Sequence, residues 1–115
     1  MGTRFLWAGL ALVSACAGPV YEGKYDYESG WRMAKVTQAG SGGANLSRAA
    51  RDCRAELPID AVRGRTFARV AFYNVRHFQT MIARAAPGYT PEPDDAVYVN
   101  KNDCGRDLER VTRNR

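Results

Sequence analysis

Residue types on which many catalytic and metal sites depend are scarce in this chain of 115 residues. It has one histidine, His77, and three cysteines, so a metal site of several histidines or a Ser-His-Asp relay would have to be built around a single imidazole. Lysine is scarce as well, since 14 of the 17 basic residues are arginine. We therefore expect a non-enzymatic protein with no metal and no cofactor.

Long apolar runs are also missing, apart from one near the first residue. Phe5 to Ala15 (FLWAGLALVSA) is an uncharged stretch that follows a short basic start, Met1 to Arg4. A membrane-spanning helix needs about 20 apolar residues, whereas a basic start, a shorter apolar run and small residues at its end are typical of a secretory signal. The sequence therefore predicts a signal peptide at residues 1–15.

The apolar run ends in Val13-Ser14-Ala15-Cys16. These residues resemble the lipobox of bacterial lipoproteins, in which an aliphatic residue, a small residue and Ala or Gly precede a cysteine. The resemblance implies that Cys16 becomes the amino terminus and carries a covalent lipid, and several acyl chains make a stable anchor. By the same family's sorting rule, Ala17 implies the outer membrane, with the domain facing the periplasm. Read as an A-x-A cleavage site, residues 15–17 instead predict a soluble periplasmic or secreted protein that begins at Gly18.

Cys53 and Cys104 are the pair of cysteines that either kind of processing leaves. In an oxidising compartment such a pair is usually a disulfide. Closing a loop of about 50 residues stabilises a fold by about 4 kcal/mol in the chain-entropy model, which is comparable with the net stability of a small domain. The alternative, a reactive thiol with His77 as its base, requires an unpaired cysteine.

The rest of the sequence predicts one small domain at residues 30–104, between a tether at 16–29 and a flexible basic tail at 105–115. Apolar and aromatic stretches bounded by turn signals predict strands at Trp31–Val36, Thr66–Asn74, Phe78–Ala85 and Ala96–Asn100. The spacing of apolar residues in Asn45–Leu57 predicts one short helix, which Pro58 ends.

These elements predict a mainly β fold, either a small bent antiparallel sheet or an SH3-like barrel with one short helix. The acidic turn before Val97-Tyr98-Val99 resembles the end of SH3-like barrels in bacterial envelope proteins, although Asp94-Asp95 replaces the Gly-Asp pair that commonly opens that strand. The resemblance covers about 40 residues of the sequence and implies the architecture only.

A group of arginines forms the candidate binding site of the sequence. Arg63, Arg65 and Arg69 occupy alternate positions and would face one side of a strand that begins early, with Arg76 and Arg84 near the following turn. Guanidinium groups pair with phosphates and carboxylates in bidentate fashion, so this row would suit an anionic envelope polymer. A solvated sheet face is the alternative. Nucleic acid is not expected, because the core must use most of the few aromatic residues.

Three other stretches carry weaker signals. Gly40 to Gly43 lacks the lysine of a phosphate-binding loop, and Asn100 to Gly105 lacks ligands that a calcium loop needs. Glu92 to Asp95 is an acidic turn of the kind that is usually solvated. We interpret all three as ordinary connections.

The sequence leaves two functional hypotheses. The first is a lipid-anchored cell-envelope protein that acts as a structural or protein-interaction module. The second is a binding module for an anionic envelope polymer, peptidoglycan or lipopolysaccharide, through the arginine-rich face.

Overall fold

The computed structural model of the protein describes residues 18–112, so the predicted signal peptide and Cys16 lie outside the described residues. The chain is mainly β, as the sequence predicts. Its elements in chain order are β1 (Val20–Tyr21), β2 (Tyr25–Asp26), β3 (Trp31–Ser41), β4 (Arg51–Asp52), α1 (Cys53–Glu56), α2 (Ile59–Val62), β5 (Thr66–Asn74), β6 (His77–Arg84), β7 (Ala96–Asn100) and β8 (Glu109–Arg110). Within this range no helix has the length and apolar character needed to cross a membrane.

Six strands form one sheet in the order β4-β6-β5-β3-β7-β8. β3, β5 and β6 pair antiparallel in succession, and β7 returns to the other edge of β3, which is the strand order of a Greek key. A parallel bridge between Ala85 and Leu108 then joins the end of β6 to the segment before β8. The sheet therefore bends until its two sides meet, and it encloses the core as a small barrel.

The core follows the alternation of side chains along the strands. In β3, Ala34 and Val36 are buried, whereas Met33 and Lys35, which alternate with them, are exposed. β7 differs because Val97, Tyr98 and Val99 are all buried. A strand that is buried on both faces must be covered on its outer side by another part of the chain.

The amino-terminal hairpin, β1 and β2, supplies that cover, which corrects the predicted tether for residues 20–29. The rings of Tyr21 and Tyr25 stack on Tyr98 with centroids 5.5 and 4.5 Å away, and Tyr25 meets Trp31 edge-on. The Glu22 carboxylate accepts a hydrogen bond of 2.8 Å from the Tyr98 hydroxyl. The tyrosines of this stretch therefore bury apolar area against the barrel instead of linking it to a membrane as a loose tether.

The predicted helix over Asn45–Leu57 is wrong except for the single turn of α1. Arg51 and Asp52 pair with β6 in parallel, and the Ala50 amide donates to the Thr80 hydroxyl at 3.0 Å. These partners hold the backbone extended up to Asp52, whose carboxylate then accepts from the Arg54 amide as the cap of α1. Tertiary hydrogen bonds thus override a helical spacing of apolar residues.

β3 is longer than the predicted strand, because it runs on to Ser41 and includes Gly40. Its second half pairs with β5 after a register shift between Val36 and Gln38. A β-bulge of this kind bends the strand, which helps to close the sheet. The glycine stretch that we interpreted as a connection therefore begins inside the sheet.

The segment after Cys104 corrects the predicted flexible tail as far as Thr112. Leu108 is fully buried, and Glu109 and Arg110 pair with β7. The Thr112 hydroxyl donates to Glu22 at 2.8 Å. Burial of Leu108 and these bonds together fix the position of this segment.

Candidate functional site

The outer face of the sheet carries a groove of about 670 Å³ over β3, β5 and β6. The strand registers place its residues side by side: Lys35 lies opposite Ala71, Ala71 opposite Thr80, and Tyr73 opposite Phe78. Ala71 has the smallest side chain of this set, so the larger neighbours stand above it as walls. The groove therefore follows from a small residue at the centre of three paired strands.

One end of the groove is aromatic and apolar. The Tyr73 and Phe78 rings meet edge to face with their centroids 4.9 Å apart. These side chains are 68% and 62% exposed, and Met33 beside them is 50% exposed. Large apolar side chains that share one exposed patch indicate an interaction surface, whereas single ones are normal on any protein.

The other end of the groove is cationic. The Arg69 guanidinium donates to the Thr37 hydroxyl at 3.0 Å and to the Arg48 carbonyl oxygen at 3.1 Å, so its position is fixed without a carboxylate. Lys35 is exposed beside it. Across the described residues, the groove lining includes neither aspartate nor glutamate. The site thus combines apolar walls with two cations whose charge no lining residue balances.

The five predicted arginines do not form one cationic row, which corrects the predicted arginine face. Arg65 and Arg84 both donate to Asp107, at 3.2 and 2.6 Å, across the barrel seam. Arg69 belongs to the groove, while Arg63 and Arg76 are exposed beyond opposite ends of β5. The alternation in sequence is real, but Asp107 comes from a segment that we expected to be flexible.

Cys53 and Cys104 lie at disulfide distance, as the sequence predicts, with a Cα–Cα distance of 5.4 Å. Cys53 begins α1, and Cys104 lies in the connection from β7 to β8. Their pairing leaves neither thiol for a reaction with His77, which is an exposed residue at the start of β6. Among residues 18–112 no group of three or more His, Cys, Asp and Glu side chains is arranged to hold a metal.

Two carboxylates outside the groove have internal partners. The hydrogen bond from the Arg54 side chain holds the pKa of Asp52 below its ordinary value. In the predicted acidic turn, the hydrogen bond from the Tyr89 hydroxyl, at 2.7 Å, likewise lowers the pKa of Asp95. Burial raises the pKa of Tyr89, so that hydroxyl stays a donor. The Asp52 and Asp95 carboxylates therefore hold parts of the chain outside the groove in place.

Comparisons with protein-family models, with curated proteins and with solved structures find no match to this chain.

The sequence reasoning missed most of the groove. Met33 and Lys35 were assigned to a strand, and Tyr73 and Phe78 to a strand pair, without a common surface. The alternation of Met33, Lys35 and Thr37 with buried residues was the available signal. It indicates an exposed face, but the neighbouring strand that shares this face depends on strand order.

Proposed function

We propose that the protein is a non-enzymatic, lipid-anchored cell-envelope protein that binds a partner protein in the groove. The apolar run at residues 5–15 and the lipobox-like Cys16 support the anchor, and Ala17 supports an outer-membrane location. The observation that carries the binding role is the pairing of an exposed apolar patch with Lys35 and Arg69 and with no acidic lining residue.

Charge complementarity selects the kind of segment that the groove binds. Arginine forms bidentate hydrogen bonds with carboxylates, and a guanidinium that is already held in place loses little freedom on binding. An extended acidic segment with an aromatic or aliphatic side chain next to its carboxylates would place charge on Arg69 and apolar surface against Tyr73 and Phe78. Aromatic anchors and arginine commonly dominate the energy of such interfaces.

The binding role can be tested by photo-crosslinking in intact cells. A crosslinker at Met33 should give a discrete protein adduct, whereas one at Ile59, which is 68% exposed on α2, serves as the matched exposed control. The charge reversal Lys35→Glu should abolish the Met33 adduct, and Arg63→Glu, the same change outside the groove, should leave it. Equal adducts from both crosslinker positions would contradict the proposal.

The anionic-polymer hypothesis is the second candidate, and the excess of 16 basic over 12 acidic residues in the chain from Cys16 onward favours it. Sedimentation with purified cell wall at low and high salt tests it, because screening weakens exposed charge pairs. Pelleting that is sensitive to salt and to Lys35→Glu, without a Met33 protein adduct, would assign the groove to the polymer. Arg65 and Arg84 are poor choices for this test, since both pair with Asp107.

The anchor has its own test. Labelled palmitate should enter the wild-type protein and not Cys16→Ser, and the mature protein should fractionate with the outer membrane. A mature amino terminus at Gly18 would instead establish the soluble periplasmic or secreted form.

A further inference from the structure

The connection between β5 and β6 exposes more apolar surface than a solvated turn requires. Residues 73–78, which we call the hairpin tip, include the turn at Val75 and Arg76. Val75 is 80% exposed, and Tyr73 and Phe78 on either side of the turn are more than half exposed. The hairpin tip contains Arg76 and His77 but no acidic residue. It is therefore apolar at its apex and cationic beside it.

Val75 adopts a backbone conformation that its own side chain disfavours. Its φ of 64° lies in the left-handed region, where a β-branched residue is an outlier. In this two-residue turn Val75 but not Arg76 has a positive φ, and hairpin turns of that type normally place Gly at the first position. Strained residues of this kind cluster at functional sites, and an exposed valine offers only an apolar contact. The strain therefore points to an apolar environment outside the domain.

The hairpin tip lies at the end of the barrel where the amino-terminal segment enters. Asn74 of the tip lines a small cavity of about 210 Å³ together with Lys101, whose amide donates to the Gly30 carbonyl at 2.9 Å. Gly30 ends the short turn that contains Glu28, and the Glu28 carboxylate accepts from the Gly18 amide at 3.4 Å. Cys16 is two residues before Gly18, which is at most about 7 Å of extended chain. An acylated Cys16 would thus hold this end of the barrel against the bilayer.

We infer that the hairpin tip docks in the headgroup region of the bilayer that holds the anchor. This inference rests on the proposed function, because acylation of Cys16 is what brings the membrane to the tip. Val75 lies at the boundary of headgroups and acyl chains, and Tyr73 and Phe78 lie at the level of the headgroups, where aromatic side chains are enriched, so that the groove side of both rings stays open to the partner. Arg76 lies against anionic lipid phosphates, which attract basic residues close to the surface.

Docking gives the anchored domain one orientation. Arg69 precedes Tyr73 by four residues in β5, so the cationic end of the groove lies about 13 Å from its aromatic end. With the tip in the headgroups, the aromatic end of the groove opens at the membrane surface and the cationic end faces the aqueous compartment. A partner of the groove would then approach along the bilayer.

The test uses the acylated full-length protein in vesicles of phosphatidylcholine, with or without phosphatidylglycerol. An environment-sensitive fluorophore is attached at Val75→Cys or, as the control, at Arg63→Cys. The control lies beyond the other end of β5, about 30 Å away along the strand. Headgroup-attached nitroxide lipids should quench the label at position 75 and not the label at position 63, and phosphatidylglycerol should increase that quenching.

Two variants, each carrying the label at His77→Cys, separate the electrostatic contribution of Arg76 from the apolar contribution of Val75. Arg76→Gln should lower the ratio of docked to undocked tip about fivefold on anionic vesicles, and Val75→Gly about tenfold. Because glycine accepts a positive φ without strain, Val75→Gly should also raise the thermal unfolding midpoint. A more stable domain that docks less well is a result that a merely structural valine would not give.

The outcomes distinguish this inference from the proposed function. Protein that leaves the vesicles altogether lacks the anchor, and both proposals fail. Protein that stays on the vesicles with equal quenching at positions 75 and 63, or with none at 75, overturns the docking alone. A label at 75 that is shielded in whole envelope membranes but not in protein-free vesicles assigns the tip to a protein partner and also overturns it.

Discussion

Replacing both Cys53 and Cys104 with alanine removes the one covalent link between α1 and the connection from β7 to β8. The two residues are separated by 51 positions, and the chain-entropy model gives about 4 kcal/mol for a loop of this length at 25 °C. For a domain of this size, the loss should lower the thermal midpoint by about 15 to 30 °C. Such a loss is a large part of the net stability of a small domain.

The burial of the two residues sharpens the expected pattern. Cys53 is 0% and Cys104 6% exposed, so serine at either position adds a buried hydroxyl that costs about 1 to 3 kcal/mol when it finds no partner. Cys53→Ser should therefore unfold at lower urea than Cys53→Ala. The losses of unfolding free energy in the two single alanine variants should not add up in the double variant, because either substitution breaks the same bond.

Urea unfolding of the purified protein, followed by circular dichroism, measures these differences. Reduction should bring the wild type close to the double-alanine variant and leave that variant unchanged, which is the internal control. In cells, either single serine variant should lower abundance and leave membrane targeting intact. If the free energy of unfolding of the double-alanine variant is within about 1 kcal/mol of that of the oxidised wild type, the entropic reasoning is refuted. Two thiols that can be alkylated in the denatured protein would refute the bond itself.

Two further predictions concern carboxylates. Asp107→Ala should destabilise the domain by about 2 kcal/mol in urea unfolding, because it leaves Arg65 and Arg84 without their shared partner. Arg106→Ala, which breaks the exposed pair with Asp103, should cost no more than about 0.5 kcal/mol, and equal losses would contradict the role of the seam. Since the Arg54 hydrogen bond lowers the pKa of Asp52 in the folded state, Asp52 contributes stability that is complete above its ordinary pKa of about 4 and is lost as the pH falls through the lower folded value. Asp52→Asn keeps a helix cap and should weaken the fall of the urea midpoint with decreasing pH below about pH 4. An unchanged fall would show that other groups set the acid sensitivity.

Strands β5, β6 and β7 were predictable because each has a local pattern that its neighbours do not contradict. β7 matches its predicted bounds, Ala96–Asn100, and the disulfide followed from the count of cysteines. The prediction of a helix over Asn45–Leu57 was wrong because backbone groups of this stretch bond to β6, including the Thr80 hydroxyl. These partners are distant in sequence. The groove was out of reach for the same reason, since it requires the register of β3 on β5, which shifts after Val36.

The bonds between Glu22 and Thr112 connect residues 90 positions apart, and this has a consequence for the time course of folding. Contacts between distant residues are slow to form, because a large loop must close before they stabilise anything. A chain that emerges from a ribosome or a translocation channel presents Tyr21 and Tyr25 long before Tyr98, and Cys53 long before Cys104. We therefore expect the nascent chain to expose apolar strands until almost the whole sequence has emerged. We expect the newly made protein to depend on holding chaperones during that interval.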